Sequence, residues 1–138
     1  MLSVCSLILN SCNRDEDNTN FSLIGSWSPY KGEFISSKDK KTIISKFTYD
    51  DCEKKSTWVF TDSKLTSVAY IDINGNCNRY TYETSYTFDS KGMKITADGK
   101  TVDVLLLTNS EMNVFYLYGD DLDQDGKDDY LLIYYKKN

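Results

Sequence analysis

The chain has no histidine, one proline (Pro29) and four cysteines in 138 residues. Without histidine it lacks the commonest general base near neutral pH and the commonest neutral metal ligand. A His-containing catalytic triad and a His-ligated zinc site are therefore excluded. Basic charge is also short: 16 Lys and Arg face 21 Asp and Glu, a net charge of −5. That balance argues against a nucleic-acid partner. The deficit is local, because Asp120 to Asp129 carries six Asp and one Lys, and the remaining residues balance at 15 of each sign. What the chain has in quantity is aromatic: 11 Tyr, 6 Phe and 2 Trp. This is ample apolar bulk for one domain's core.

The first residues read as export rather than fold. Residues 1–11 are apolar and uncharged, with Leu2, Val4, Leu7, Ile8 and Leu9. The stretch is too short to span a bilayer and matches the apolar part of a signal peptide, although the positive charges usual before it are missing. Leu9-Asn10-Ser11-Cys12 resembles a bacterial lipobox, whose Cys becomes the lipid-bearing first residue; Asn10 departs from the small or apolar residue usual there. Residues 12–21 then form a polar tether, and residues 22–138 the folded domain. The expectation is an outer-membrane lipoprotein, anchored through Cys12, on the periplasmic or cell-surface side. A frayed cytosolic terminus is the alternative.

If Cys5 leaves with the signal and Cys12 takes lipid, Cys52 and Cys77 remain. An even pair in an exported domain predicts a disulfide, the alternative being two buried thiols.

From Ser22 onward apolar residues recur with period two, the mark of half-buried strands. Tyr80, Tyr82, Thr84, Tyr86 and Phe88 share one face of the clearest strand. Trp58 and Phe60 share a face of another. Strands are expected at 23–34, 42–49, 56–61, 64–73, 79–88, 93–96, 101–108, 111–118 and 130–136, with one helical turn at 36–41. Asn74-Gly75, Asp89 to Gly92, Asp98-Gly99 and Asn109-Ser110 are turn signals between them. The pattern predicts an all-β fold: one antiparallel up-and-down barrel of about eight strands.

Gly25-Ser26-Trp27, at the start of the first strand, resembles the G-x-W pattern of lipocalins. Asp51 to Phe60, followed by Gly75-Asn76-Cys77, is similar to the pattern of bacterial lipocalin-like domains, small domains borne on lipoproteins of Gram-negative bacteria. The resemblance covers residues 22 to about 118. It implies a lipocalin-like barrel with Trp27 closing one end and, by analogy, a small apolar ligand. Trp27, Trp58, Phe60, Tyr80, Tyr82, Tyr86 and Phe88 are the expected cavity lining. The competing expectation is that these seven simply fill the barrel.

Asp121, Asp123, Asp125 and Asp129 follow the spacing D-x-D-x-D-G-x-x-D, with Gly126 at the sharp turn. Four carboxylates and the Lys127 carbonyl can converge on one hard cation, and oxygen ligands select Ca²⁺. Leu132 stands where an EF-hand places its bidentate Glu, so the loop instead resembles the calcium hairpins of integrin-type repeats. An exposed acidic turn is the alternative.

No nucleophile motif accompanies the scattered Glu33, Glu53, Glu83 and Glu111, so the expectation is a monomeric binding protein, not an enzyme. The alternative is a surface adhesion or inhibitor module that contacts a protein or glycan through its loops.

Overall fold

The computed structural model describes residues 21–138. The signal-peptide, tether and Cys12 expectations lie outside that range up to residue 20. Nine strands follow in order: β1 (Gly25–Ile35), β2 (Ile43–Thr48), β3 (Thr57–Phe60), β4 (Lys64–Ile73), β5 (Asn76–Asp89), β6 (Lys94–Ala97), β7 (Lys100–Leu107), β8 (Glu111–Leu117) and β9 (Tyr130–Lys137). A single 3₁₀ turn, Glu53–Lys55, interrupts them. All neighbours pair antiparallel, and β9 returns to β1 along Trp27–Ile35. This closes the eight-stranded barrel that the alternation predicts. The last strand covers the first, so that pair of edges is satisfied.

One edge of β1 serves two partners. Its start, Gly25 to Trp27, pairs with β3, and its end, Lys31 to Ile35, pairs with β2. Residues 49–56 bridge the gap. Asp98 and Gly99 both take positive φ (54° and 75°), as do Asn74 and Gly75 (54° and 86°). These are the tight hairpin turns whose twist matches the flanking strands. Residues 36–40 form the expected single turn, with the Lys40 N–H donating to the Ser36 carbonyl at 2.9 Å.

The core fills one end. Trp27 is fully buried, and its indole N–H donates to the Leu23 carbonyl at 2.8 Å. Phe60, Leu65, Ile95, Val104, Leu107 and Met112 pack with it, and the Lys137 ammonium lies 5.2 Å from the Trp27 ring centre. Gly25 allows that closure: its φ is +136°, and a Cβ there would lie 2.6 Å from Lys137 Cε. At the other end Gly32 serves a different purpose. A Cβ at Gly32 would fall inside the Phe47 ring that lies over it from β2.

Candidate functional site: the open end of the barrel

Inward positions alternate along every strand, and the core cluster around Trp27 reaches Leu131 of β9. Toward the opposite end, where the β1–β2, β4–β5, β6–β7 and β8–β9 connections gather, a cavity of about 420 Å³ is lined by Trp58, Lys100, Thr101, Val102, Tyr116 and Leu117. Trp58 also borders a smaller recess of about 120 Å³, with Pro29, Ser67, Ala69 and Tyr135. The Trp58 ring stacks on Tyr135 with ring centres 4.9 Å apart. A third hollow, about 300 Å³, lies between β1 and β2 and is lined by Lys31, Glu33, Lys46, Phe47 and Thr48 around Gly32.

The larger cavity is apolar with few polar groups, the usual composition of a small-molecule pocket. Lys100 supplies its cation. Among the described residues the ion pairs are Lys54–Asp51 and Lys94–Asp103, so Lys100 keeps its charge unpaired. Tyr116 and Thr101 supply the other polar side chains of its lining, and Tyr135 lies in the smaller recess beside it. Burial pushes the Tyr135 hydroxyl well above 10, with Tyr116 and Tyr49 adding to the effect. Tyr49 is pushed up to about 12 by burial, then by Tyr116 and Glu53. Tyr116 is raised by burial and by Tyr118. All three therefore stay protonated near neutrality and act as hydrogen-bond donors. Among the described residues the tyrosine hydroxyls already engaged are Tyr86, to the Thr61 carbonyl at 2.5 Å, and Tyr134, to Glu33 at 2.9 Å.

The seven aromatics singled out by pattern separate into three groups. Trp58 lines the cavity. Trp27 and Phe60 are core, and Tyr86 and Phe88 pack against that core. Tyr80 and Tyr82 face inward by alternation yet are 51% and 56% exposed. They sit where the β4–β5 hairpin outruns its neighbours: β5 meets β6 only from Tyr86 to Asp89. Sequence reasoning missed Lys100, Val102, Tyr116 and Tyr135. Their strands were legible, but nothing local says that these positions face empty space.

Cys52 and Cys77 form a disulfide with Cα atoms 5.6 Å apart. It ties the segment entering β3 to the tip of the β4–β5 hairpin, at the same open end.

The acidic loop, residues 118–129, also lies at that end. The carboxylates of Asp121, Asp123 and Asp129 converge within 4.8 Å; Asp125 is not in that group. Most of their oxygens accept backbone N–H groups. Asp121 accepts from Asp125 and Gly126 at 3.0 and 2.7 Å. Asp129, fully buried, accepts from Ser37 at 2.9 Å and from Leu122 and Asp123 at 2.7 and 3.3 Å. Burial works to raise the Asp129 carboxyl, but these N–H donors outweigh it and hold it below the ordinary value. Asp125 accepts from the Lys127 N–H at 2.9 Å. Asp123 takes the Ser36 hydroxyl at 2.7 Å with Oδ2, while its Oδ1 is buried with no partner. Ser36 and Ser37 belong to the β1–β2 loop, so the acidic loop pins that loop as well as β9.

A lipocalin-like family model matches residues 23–114, two thirds of the chain. This chain belongs to the lipocalin-like domain family. The match ends before the acidic loop and β9, which close the barrel of this lipocalin-like domain. No curated protein sequence matches the chain. Among solved structures it is similar to bovine odorant binding protein in complex with its natural ligand, at 15% identity over 88% of this chain and 76% of that one, with a TM-score of 0.44. It is similar to aphrodisin, described as a sex pheromone from female hamster, at 14% identity over 85% and 76%, TM-score 0.42. It is similar also to the siderocalin Ex-FABP, described as having dual ligand specificities, at 15% over 83% and 73%, TM-score 0.47.

Proposed function

We propose that this lipocalin-like domain binds a small, mostly apolar molecule at the open end of its barrel. The observation that carries the reading is the cavity of about 420 Å³ beside Trp58, within the size range of small-molecule sites. Val102, Leu117 and the Trp58 ring supply apolar contact, and Lys100 with the Tyr116 hydroxyl orients one polar group of the ligand. The test is titration with a displaceable apolar fluorophore such as N-phenylnaphthylamine, followed by quenching of tryptophan emission. Fluorophore enhancement that Trp58→Ala abolishes supports the site. Equal enhancement in the wild type and in Trp58→Ala places binding elsewhere and sinks it.

The acidic loop fits a calcium ion of structural role. Three carboxylates converge there, and the buried Asp123 Oδ1 has no protein partner. Hard oxygen ligands suit Ca²⁺. Asp121, Asp123 and Asp129 would hold it; the ion would offset like charge that otherwise repels within the loop.

The domain is read as the exported part of a lipoprotein, anchored at the outer membrane through Cys12. The apolar block of residues 1–11 and the lipobox-like Leu9-Asn10-Ser11-Cys12 support this. Cys12→Ala should release the protein from the membrane fraction of its host. Unchanged sedimentation with membranes would remove the anchor.

A further inference from the structure

The β4–β5 hairpin outruns the strands beside it, and its inward face is apolar. Buried Leu65 sets the inward phase of β4 and lies opposite Thr84. Ser67 then faces Tyr82, Ala69 faces Tyr80, and Ile71 and Ile73 follow toward the tip. β3 pairs with β4 only as far as Val68, and β6 meets β5 only from Tyr86 to Asp89. Among the described residues no strand pairs with the hairpin above these points, and Ile71, Ile73, Tyr80 and Tyr82 are 45–56% exposed. Contiguous exposed apolar side chains of this size mark a binding surface. The tip itself is held in place. Cys77 is bonded to Cys52 and alternates out of phase with Tyr80 and Tyr82, so the tether sits on the outward face and leaves the inward one clear.

Small residues turn this face into a furrow. Trp58, Ser67 and Tyr82 stand at one level across three strands. One step toward the tip, Ala69 faces Tyr80. Ser67 and Ala69 are the two smallest inward side chains of β4, and the strands on either side lie about 9.6 Å apart, two strand spacings. The recess of about 120 Å³ rests on this floor, with Ser67, Ala69 and Trp58 in its lining. Trp58 also lines the cavity of about 420 Å³. Trp58 is thus common to cavity and recess, and Ala69, opposite Tyr80, carries the recess onto the exposed face.

We propose that the furrow holds the far part of an unbranched aliphatic chain whose polar head occupies the cavity, so that the ligand is a long-chain amphiphile rather than a compact apolar molecule. This rests on the reading of the cavity as a ligand site. Lys100 and Thr101 in the cavity lining serve the head. The chain passes Trp58, lies on Ser67 and Ala69 beside the Tyr80 and Tyr82 rings, and ends on Ile71 and Ile73. From Ser67 to Ile73 the floor runs for about 20 Å of strand, long and narrow, as a single chain requires. A protein partner fits less well. Four exposed side chains fall far short of the roughly 20–30 residues a side that a stable protein interface uses.

The test is displacement of N-phenylnaphthylamine from the full chain by straight-chain alcohols, hexanol to tetradecanol. Wild-type affinity should rise with each added methylene, by up to about fourfold, through the longest chains. An Ile71→Ser, Ile73→Ser double variant changes only exposed positions and should keep the wild-type circular dichroism spectrum. It should bind the short alcohols as the wild type does and stop gaining at a shorter chain length. Ala69→Leu fills the floor of the furrow and should impose a similar cut-off. One plateau shared by the wild type and the double variant overturns the inference and leaves the cavity reading standing. No response to the fluorophore or to any alcohol removes the cavity reading and this inference with it. Affinity independent of chain length, together with self-association that the double variant abolishes, gives the face to a second copy and overturns the inference as well.

Discussion

The two ends of the barrel are built from the same alternating strands and end in opposite conditions. Toward the Trp27 end the inward side chains form a packed cluster, and Trp27 and Met112 are fully buried. At the far end the inward side chains of β3, β7 and β8 border a cavity of about 420 Å³. The β4–β5 hairpin there carries Ile71, Ile73, Tyr80 and Tyr82 into solvent at 45–56% exposure. Stability is concentrated at the packed end, and room for ligand at the open end. The open end is kept in shape by means other than a core: the Cys52–Cys77 bridge, and the acidic loop holding Ser36 and Ser37.

The largest test of that contrast is a pair of tryptophans. Trp27→Ala should cost about 3–5 kcal/mol, the range for a large aromatic removed from a packed core. Trp58→Ala, at a half-buried ring beside existing empty space, should cost less than half as much. Urea unfolding of both variants measures the difference, and equal losses would mean that the ends are not packed differently.

Next in size is the bridge. It closes a span of 25 residues, worth about 3.5 kcal/mol by chain entropy. Cys52→Ser with Cys77→Ser should lower the unfolding free energy by about that amount in urea titration. Fluorophore binding should fall as well, because the bridge anchors the hairpin beside the cavity. A double variant with unchanged stability would show that the hairpin needs no tether.

Calcium should act more gently. At ten times its dissociation constant an ion that binds only the folded state adds about 1.4 kcal/mol. For a domain of this size that is a rise of a few degrees in Tm. Asp123→Ala should abolish the rise. Asp125→Ala should keep most of it, because its carboxylate stands outside the group that converges. An identical Tm in calcium and in chelator makes the loop an acidic turn and nothing more.

The smallest effect concerns the β1–β2 loop. The Asp39 carboxyl is lowered to about 2 by the Thr42 hydroxyl, then by the N–H groups of Thr42 and Lys41. A carboxyl depressed in this way adds stability that is fully present above its ordinary value of 3.8. That stability is lost as pH falls through the folded value. The stability difference between wild type and Asp39→Ala should therefore shrink from about pH 4 down to about pH 2. A difference that stays constant across that window would mean that Asp39 contributes no charge-dependent stability.

Much of this molecule is written locally. The alternation of Tyr80, Tyr82, Thr84, Tyr86 and Phe88 marks a strand and its inner face, and Asp98-Gly99 marks a hairpin, because backbone geometry and side-chain period act over a few residues. Gly25-Ser26-Trp27 likewise marks the closed end, and the spacing of the acidic loop marks three carboxylates that do converge. What tertiary structure alone decided is which inward residues touch anything. Phe88 and Tyr82 have the same phase on the same strand, yet Phe88 packs against the core and Tyr82 stands in solvent, because β6 ends where the hairpin continues. Strand length relative to a neighbour is a property of two distant segments. No period within either one encodes it, and so the cavity beside Trp58 and the exposure of Tyr80 and Tyr82 emerge only once the sheet has closed.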